Sequence, residues 1–228
     1  MAGPLRRFWA LMSDAPATAA TTAAPPAPSA PAAFAVTWDY RCPFARNAHD
    51  HLVTALRAGA PWDVTFLPFC LGQAHVEEGG TPIWETPERD SGLLALQVAV
   101  TVRDHQPERF LDLHHRLFTL RHVEGRHLAN RDLLTETLDA VGADAASVWD
   151  EVASGRPLAT VADEHERFVA SHHVWGVPTF ISGPHAVFIR FMHRAEGDVA
   201  VARRTIDRVV DLLTWPELNE YKHTTVPA

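Results

Sequence analysis

Two cysteines, Cys42 and Cys70, are the only thiols in 228 residues. That is too few for a disulfide framework in a chain of this size, so each reads as an individual thiol and the pair suits a reducing, cytoplasmic compartment. Basic blocks are also lacking. The 20 Lys and Arg face 28 Asp and Glu for a formal charge of -8, and no segment would neutralise a run of phosphates, which argues against a nucleic-acid partner. No apolar run approaches the roughly 20 residues of a membrane span, so no membrane is expected as a partner. Arg6-Arg7 precede an apolar stretch, Phe8 to Met12, that stops at Ser13-Asp14, short of the roughly 7 to 15 residues of a secretory core. From Ser13 to Ala33 large side chains are missing altogether. Ala, Pro, Thr and Ser with a single charge leave nothing to bury, so residues 1–33 are expected to form a disordered tail, with Met12 standing beside Met1 as a candidate start.

What remains is 46% hydrophobic overall, enough for one core with an inserted subdomain. Phe34 to Tyr40 reads as an apolar strand. Pro43 to Ala58 carries Ala45, Ala48, Leu52, Ala55 and Leu56 at helical spacing, with Pro43 in the first turn and Gly59 as the stop. Trp62, Val64 and Phe66 then alternate with Asp63 and Thr65 ahead of Leu67-Pro68-Phe69-Cys70, giving a second strand. Strand, helix and strand in this span predict a right-handed crossover and a parallel pair. From Thr81 to His173 helical periodicity dominates, with Phe110, Leu113 and Leu117 on one face, and Leu133, Leu134, Leu138 and Val141 on another ended by Gly142. Within this block Leu94, Leu96, Val98, Val100 and Val102 alternate at period two, a pattern that by itself favours a strand. Val177 to Ser182 and Ala186 to Phe191, parted by Gly183-Pro184, suit an antiparallel hairpin, and Val199 to Leu213 a last helix halted by Trp215-Pro216.

Cys42 falls between the first strand and the first helix. A helix start offers unpaired N–H groups and the positive end of its dipole, which favour thiolate over thiol, and Arg41 and Arg46 are candidate sources of further positive charge. At an ordinary value near 8.5 only about 3% of a thiol is ionised at pH 7, so such a shift would change the available chemistry. A small buried hydrophobe is the competing reading. Trp175-Gly176-Val177-Pro178-Thr179 ahead of the hairpin adds a second signal. Proline cannot donate to a ladder and there marks a strand edge or a cis turn, at which an extended substrate segment would pair beside the sulfur.

Strand, Cys42-Pro43-Phe44-Ala45, helix, strand, helical insertion, Gly176-Val177-Pro178-Thr179-Phe180, hairpin and helix together resemble the DsbA-like thioredoxin-fold proteins over about residues 34–213. The resemblance is greatest to a cytoplasmic branch with the kappa-type glutathione transferases, hydroxychromene-carboxylate isomerases and mycothiol-linked reductases. It implies an α/β thioredoxin-like fold (βαβ, helical block, ββα) formed by residues 34–80 and 174–215, with 81–173 inserted and 216–228 as a C-terminal tail. It also implies that 94–102 is helical, against the bare pattern. The implied activity is thiol-disulfide oxidoreductase, with Cys42 as nucleophile and Pro43, Phe44, Val177 and Pro178 contacting a substrate or thiol. The position three residues after Cys42, where a dithiol enzyme keeps its resolving cysteine, holds Ala45. Resolution then falls to a low-molecular-weight thiol such as glutathione or mycothiol acting as co-substrate, or to Cys70 at the end of the neighbouring strand, provided the two Cα atoms lie within roughly 7 Å. No tightly bound cofactor is implied, a homodimer is compatible with the relatives, and two alternatives stay open: a kappa-type transferase or isomerase using a bound thiol, and a non-catalytic binding protein.

The 14 histidines do not form a metal pattern. His114-His115 point about 100° apart on a helix, and His165 and His172 lie two turns apart, so solvated helix faces are the expected reading. His49 and His51 sit roughly 10 Å or more along the first helix from Cys42, too far to act as its base. Trp38 and Trp175 are expected in the core.

Overall fold

A computed structural model describes residues 32–215, 217–220 and 222–223 of the chain. Most of the expected tail, 1–31, and part of 216–228 therefore lie outside the described residues. Strand β1 (Ala32–Trp38) leads into helix α1 (Pro43–Arg57) and then strand β2 (Trp62–Pro68). β1 begins two residues inside the stretch assigned to the tail, because Ala32 and Ala33 pair in register with Trp62 and Asp63. A short helix α2 (Leu71–Ala74) and two single turns follow, and then α3 (Leu93–His105), α4 (Pro107–His122), α5 (Arg131–Ala140), α6 (Ala145–Ala153) and α7 (Arg156–His172). The chain ends with β3 (Thr179–Ser182), β4 (His185–Phe188) and α8 (Val199–Leu213).

The sheet runs β2-β1-β3-β4, with β1 and β2 parallel and the other neighbours antiparallel. This is the expected thioredoxin-like order with the helical block inserted between β2 and β3. Of the two readings of Pro178, a strand edge or a cis turn, the edge does not hold, because Pro178 precedes β3, which lies between β1 and β4, and its peptide bond with Val177 is cis. In the segment ahead of the strand Gly176, Val177 and Pro178 are buried, and Trp175 is exposed.

β1 is central because its apolar run is buried on both faces: Val36 and Trp38 are fully buried, and Thr37 is 1% exposed. Trp38, Tyr40, Phe66, Phe110 and Phe118 then join sheet to insertion through edge-to-face ring contacts. Each such side chain contributes on the order of 1.5–3 kcal/mol by leaving water. Helix α3 explains the period-two alternation around Leu96. Ala95, Gln97, Ala99 and Thr101, which lie between the large residues, are buried as well, so the helix is surrounded and the alternation marks no exposed face. Arg103, at its C-terminal end, fastens it by donating to the Phe66 carbonyl and pairing with Glu164 of α7, each at 2.8 Å.

Candidate active site around Cys42

Cys42 is the N-cap of α1, with extended backbone (φ -84, ψ 119) and Pro43 at the first helical position. Pro43 lacks an N–H and cannot compete for the cap, so the sulfur receives the Ala45 N–H at 3.4 Å. The thiol in turn donates to the Val177 carbonyl at 3.3 Å, across 135 residues of sequence. The Val177–Pro178 peptide bond is cis. Just beyond it, the Thr179 N–H donates to Thr37 Oγ1 at 2.9 Å and Thr179 Oγ1 to the Gly176 carbonyl at 2.8 Å. β1 thus carries Cys42 at its end and fixes the 176–179 segment beside it.

The charge around Cys42 differs from the sequence expectation. Burial pushes the thiol above its ordinary value, the Ala45 and Phe44 N–H groups oppose this, and Asp39 raises it further. Arg41 does not supply the expected cation. Its guanidinium bridges the buried Asp39 and Asp90, at 2.8 Å each, so its charge is spent on carboxylates. Asp39 also accepts the Leu71 N–H at 2.8 Å, and Asp90 the N–H groups of Gly92 and Leu93 at 2.8 and 2.9 Å. This cluster joins the loop before Cys42 to the starts of α2 and α3. A Cβ on Gly72 would lie 1.8 Å from Asp90 Oδ2, so only glycine lets the cluster close.

Cys70 occupies a similar local position, as N-cap of α2 with φ -92 and ψ 108, yet no side-chain cap bond forms. It is fully buried, its thiol donates to Asp90 Oδ2 at 3.7 Å, and its N–H donates to His165 Nδ1 at 3.2 Å. Burial first, then Asp90, pushes its thiol up to about 12. Both cysteines are free.

The reading of the histidines as solvated faces fails for His114 and His165, which are 0% and 4% exposed. Tyr40, His114, His49 and the Thr37 carbonyl form a buried chain with links of 2.8, 2.9 and 3.1 Å. A carbonyl only accepts, so His49 Nε2 carries hydrogen, His49 Nδ1 accepts from His114 Nε2, and His114 Nδ1 accepts from the Tyr40 hydroxyl. Both rings are therefore neutral, in keeping with burial that lowers His114 and takes His49 to about 4. His122 Nε2 donates to the Tyr40 carbonyl at 2.8 Å. No group of three metal-ligating side chains occurs among the described residues.

Trp38 is core as expected, but Trp175 is 68% exposed. Its ring lies tilted against Phe188 of β4 at 4.3 Å and 41°. It also borders a groove of about 400 Å³ shared with Phe69, Gln73, His165 and Val169. Phe44, next to Cys42, lies under the Arg190 guanidinium. Sequence reasoning missed both the Asp39–Arg41–Asp90 cluster and Arg190. The first offered a faint signal, two opposite charges flanking the residue after a strand, while the second offered none.

No protein-family model and no curated protein matches the sequence. Solved structures do match the fold. The cytosolic disulfide reductase DsbM from Pseudomonas aeruginosa is 19% identical over 79% of this chain and 99% of its own, with a TM-score of 0.55. The thiol-disulfide exchange protein alpha-DsbA2 from Wolbachia pipientis is 16% identical over 80% and 84%, with a TM-score of 0.54. Oxidised BdbD from Bacillus subtilis is 13% identical over 81% and 90%, with a TM-score of 0.53. The chain is DsbA-like in fold: a thioredoxin core interrupted by helices. Among the described residues no helix is long and apolar enough to cross a membrane.

Proposed function

We propose that the protein is a monothiol thiol-disulfide oxidoreductase in which Cys42 is the nucleophile and an external low-molecular-weight thiol completes the cycle. The observation that carries this reading is the Cys42 sulfur itself, half-buried at a helix start between the Ala45 N–H and the Val177 carbonyl. Proteins that share the fold include thiol-disulfide exchange proteins and a cytosolic reductase, which supports the class. Ala45 supplies no second thiol, and Cys70, protonated up to about 12 and turned to Asp90, is a poor attacking group.

In the cycle, the Cys42 thiolate attacks one sulfur of a substrate disulfide. That S–S bond breaks, a Cys42–S bond forms, and the released thiolate takes a proton from water. A small thiol, as its thiolate, then attacks the mixed disulfide, leaving as a new disulfide and returning Cys42. That new disulfide joins the small thiol to the substrate, and a second small thiol displaces the substrate sulfur from it. The substrate disulfide becomes two thiols while two small thiols become one disulfide, so the electrons balance. A thiol held above its ordinary value has a thiolate that the site does not stabilise, whereas strongly oxidising relatives of this class owe their oxidising power to a very acidic, stabilised one. The reducing direction fits this site.

The same protonated Cys42 favours a second reading, a kappa-type transferase or hydroxychromene-carboxylate-type isomerase. There the thiol replaces a hydroxyl and donates to the sulfur of a bound thiol. One measurement tests the protonated Cys42 on which both readings rest, and a second separates them. The iodoacetamide rate of Cys42 is expected to rise with pH to a midpoint above about 8.5, and reduction of a glutathionylated protein is expected to require both Cys42 and added glutathione. Glutathione-dependent conversion of a small apolar electrophile without any Cys42 mixed disulfide would favour the second reading. Neither activity would leave a binding protein.

A further inference from the structure

Beside Cys42 the surface carries an arrangement that the exchange cycle does not itself require. Asn47 of α1 donates to the Phe191 carbonyl at 2.8 Å, His51 Nε2 to the His193 carbonyl at 3.1 Å, and Asp50 accepts the Glu196 N–H at 3.0 Å. These bonds bind the strand that leaves β4 to the helix that starts at Cys42. Arg190 is thereby placed with its guanidinium 5.5 Å from the Phe44 ring centre and 5.9 Å from that of Phe188. Phe188 packs in turn, at a tilt, against Trp175, two residues before Val177. A continuous ledge of Phe44, Arg190, Phe188 and Trp175 therefore joins the two segments that hold the Cys42 sulfur. Gly176 keeps it compact, because a Cβ there would lie 3.3 Å from the Phe188 ring.

Arg190 is exposed and, like Arg46 and several other arginines, forms no ion pair among the described residues; its place between two rings sets it apart. Two rings hold the guanidinium within cation–π range, and its N–H groups meet no acceptor among the described residues. Such a fork is pre-organised for a carboxylate, which it binds bidentately, while the rings accept flat amide groups. Against a chain of formal charge -8, an unpaired cation at the site selects for the sign of its ligand.

We propose that this ledge is the specificity site for the small thiol, and that Arg190 selects a carboxylate-bearing, peptide-like thiol or disulfide over one lacking an ionised carboxylate. The inference rests on the exchange reading above and names the chemical class of its co-substrate. Of the two thiols considered from sequence, glutathione carries carboxylates and mycothiol does not, so the ledge favours the former chemistry.

The test is the rate at which Cys42 forms a mixed disulfide, followed by intact mass, with glutathione disulfide and with the same disulfide methylated on its four carboxylates. The wild type is expected to prefer the free acid by about tenfold or more at low salt, the preference shrinking as ionic strength rises. Arg190→Gln is expected to remove most of the preference and Arg190→Lys to keep part of it. Arg204→Gln, which removes an equal charge from exposed α8, keeps all of it. A wild type without preference, or an Arg190→Gln variant that retains it, overturns the proposal. If the wild type forms no adduct with either disulfide while Cys42 still alkylates, the exchange reading itself fails and the inference falls with it.

Discussion

Cys42 and Cys70 stand at matching places: each follows a parallel strand, each caps the next helix, and their backbone angles differ by little more than ten degrees. Their surroundings nevertheless set them apart. Cys42 caps a helix of 15 residues, receives an N–H, and is half-buried against the Val177 carbonyl. Cys70 caps a helix of four residues, receives no such bond, and points at the buried Asp90. The difference teaches that a helix start is not sufficient for a reactive thiol. Exposure decides, because burial and a carboxylate of the Asp39–Arg41–Asp90 cluster raise both thiols, Asp39 at Cys42 and chiefly Asp90 at Cys70, while only Cys70 is fully buried.

The largest expected effect tests that contrast directly. Cys42→Ser is expected to abolish mixed-disulfide formation, whereas Cys70→Ser changes its rate by less than about threefold; native-state alkylation at neutral pH is likewise expected at Cys42 alone. Labelling of Cys70 at a comparable rate would erase the distinction.

Acid should act at both places. His49, on α1 beneath the Cys42 loop, and His165, which accepts the Cys70 N–H, are each held at about 4 by burial. In the unfolded chain a histidine titrates near 6.5, so below that pH the unfolded state binds the extra protons. Stability is then full above pH 6.5 and lost as pH falls toward 4, by about 3 kcal/mol for His49 alone. Urea unfolding at pH 7 and pH 4.5 measures it, and equal midpoints would contradict the neutral histidine chain.

A smaller loss is expected from Gly72→Ala. The added methyl displaces Asp90 from Arg41 and costs about 1–3 kcal/mol in urea unfolding, with Cys70 becoming accessible before Cys42 changes. An unaltered Cys70 would show that the cluster does not control it.

The sequence made the thioredoxin-like order legible because β2, α1 and α8 carry clean periodicity on half-buried elements, and α8 falls where its pattern ends, at Leu213. It misled at α3, where burial on every side removes the contrast on which periodicity depends. Cys42, Ala45 and Val177-Pro178 could be singled out because each is chemically distinctive. Tyr40, His49 and His114 could not be joined from sequence, since 65 residues separate the two rings. Arg190 was hidden differently, being an exposed charge at the end of a short strand, where no pattern separates a ligand-binding cation from an ordinary solvated one. The acidity of Cys42 was misjudged because the helix start is a local feature, whereas burial and Asp39 arise from the folded surroundings.

Peptide mapping of the wild-type protein after exposure to excess glutathione disulfide tests the monothiol assignment most directly. A single glutathione adduct on Cys42, stable until a small thiol is added, is the predicted result. An intramolecular Cys42–Cys70 disulfide, or no modification of Cys42, would contradict it.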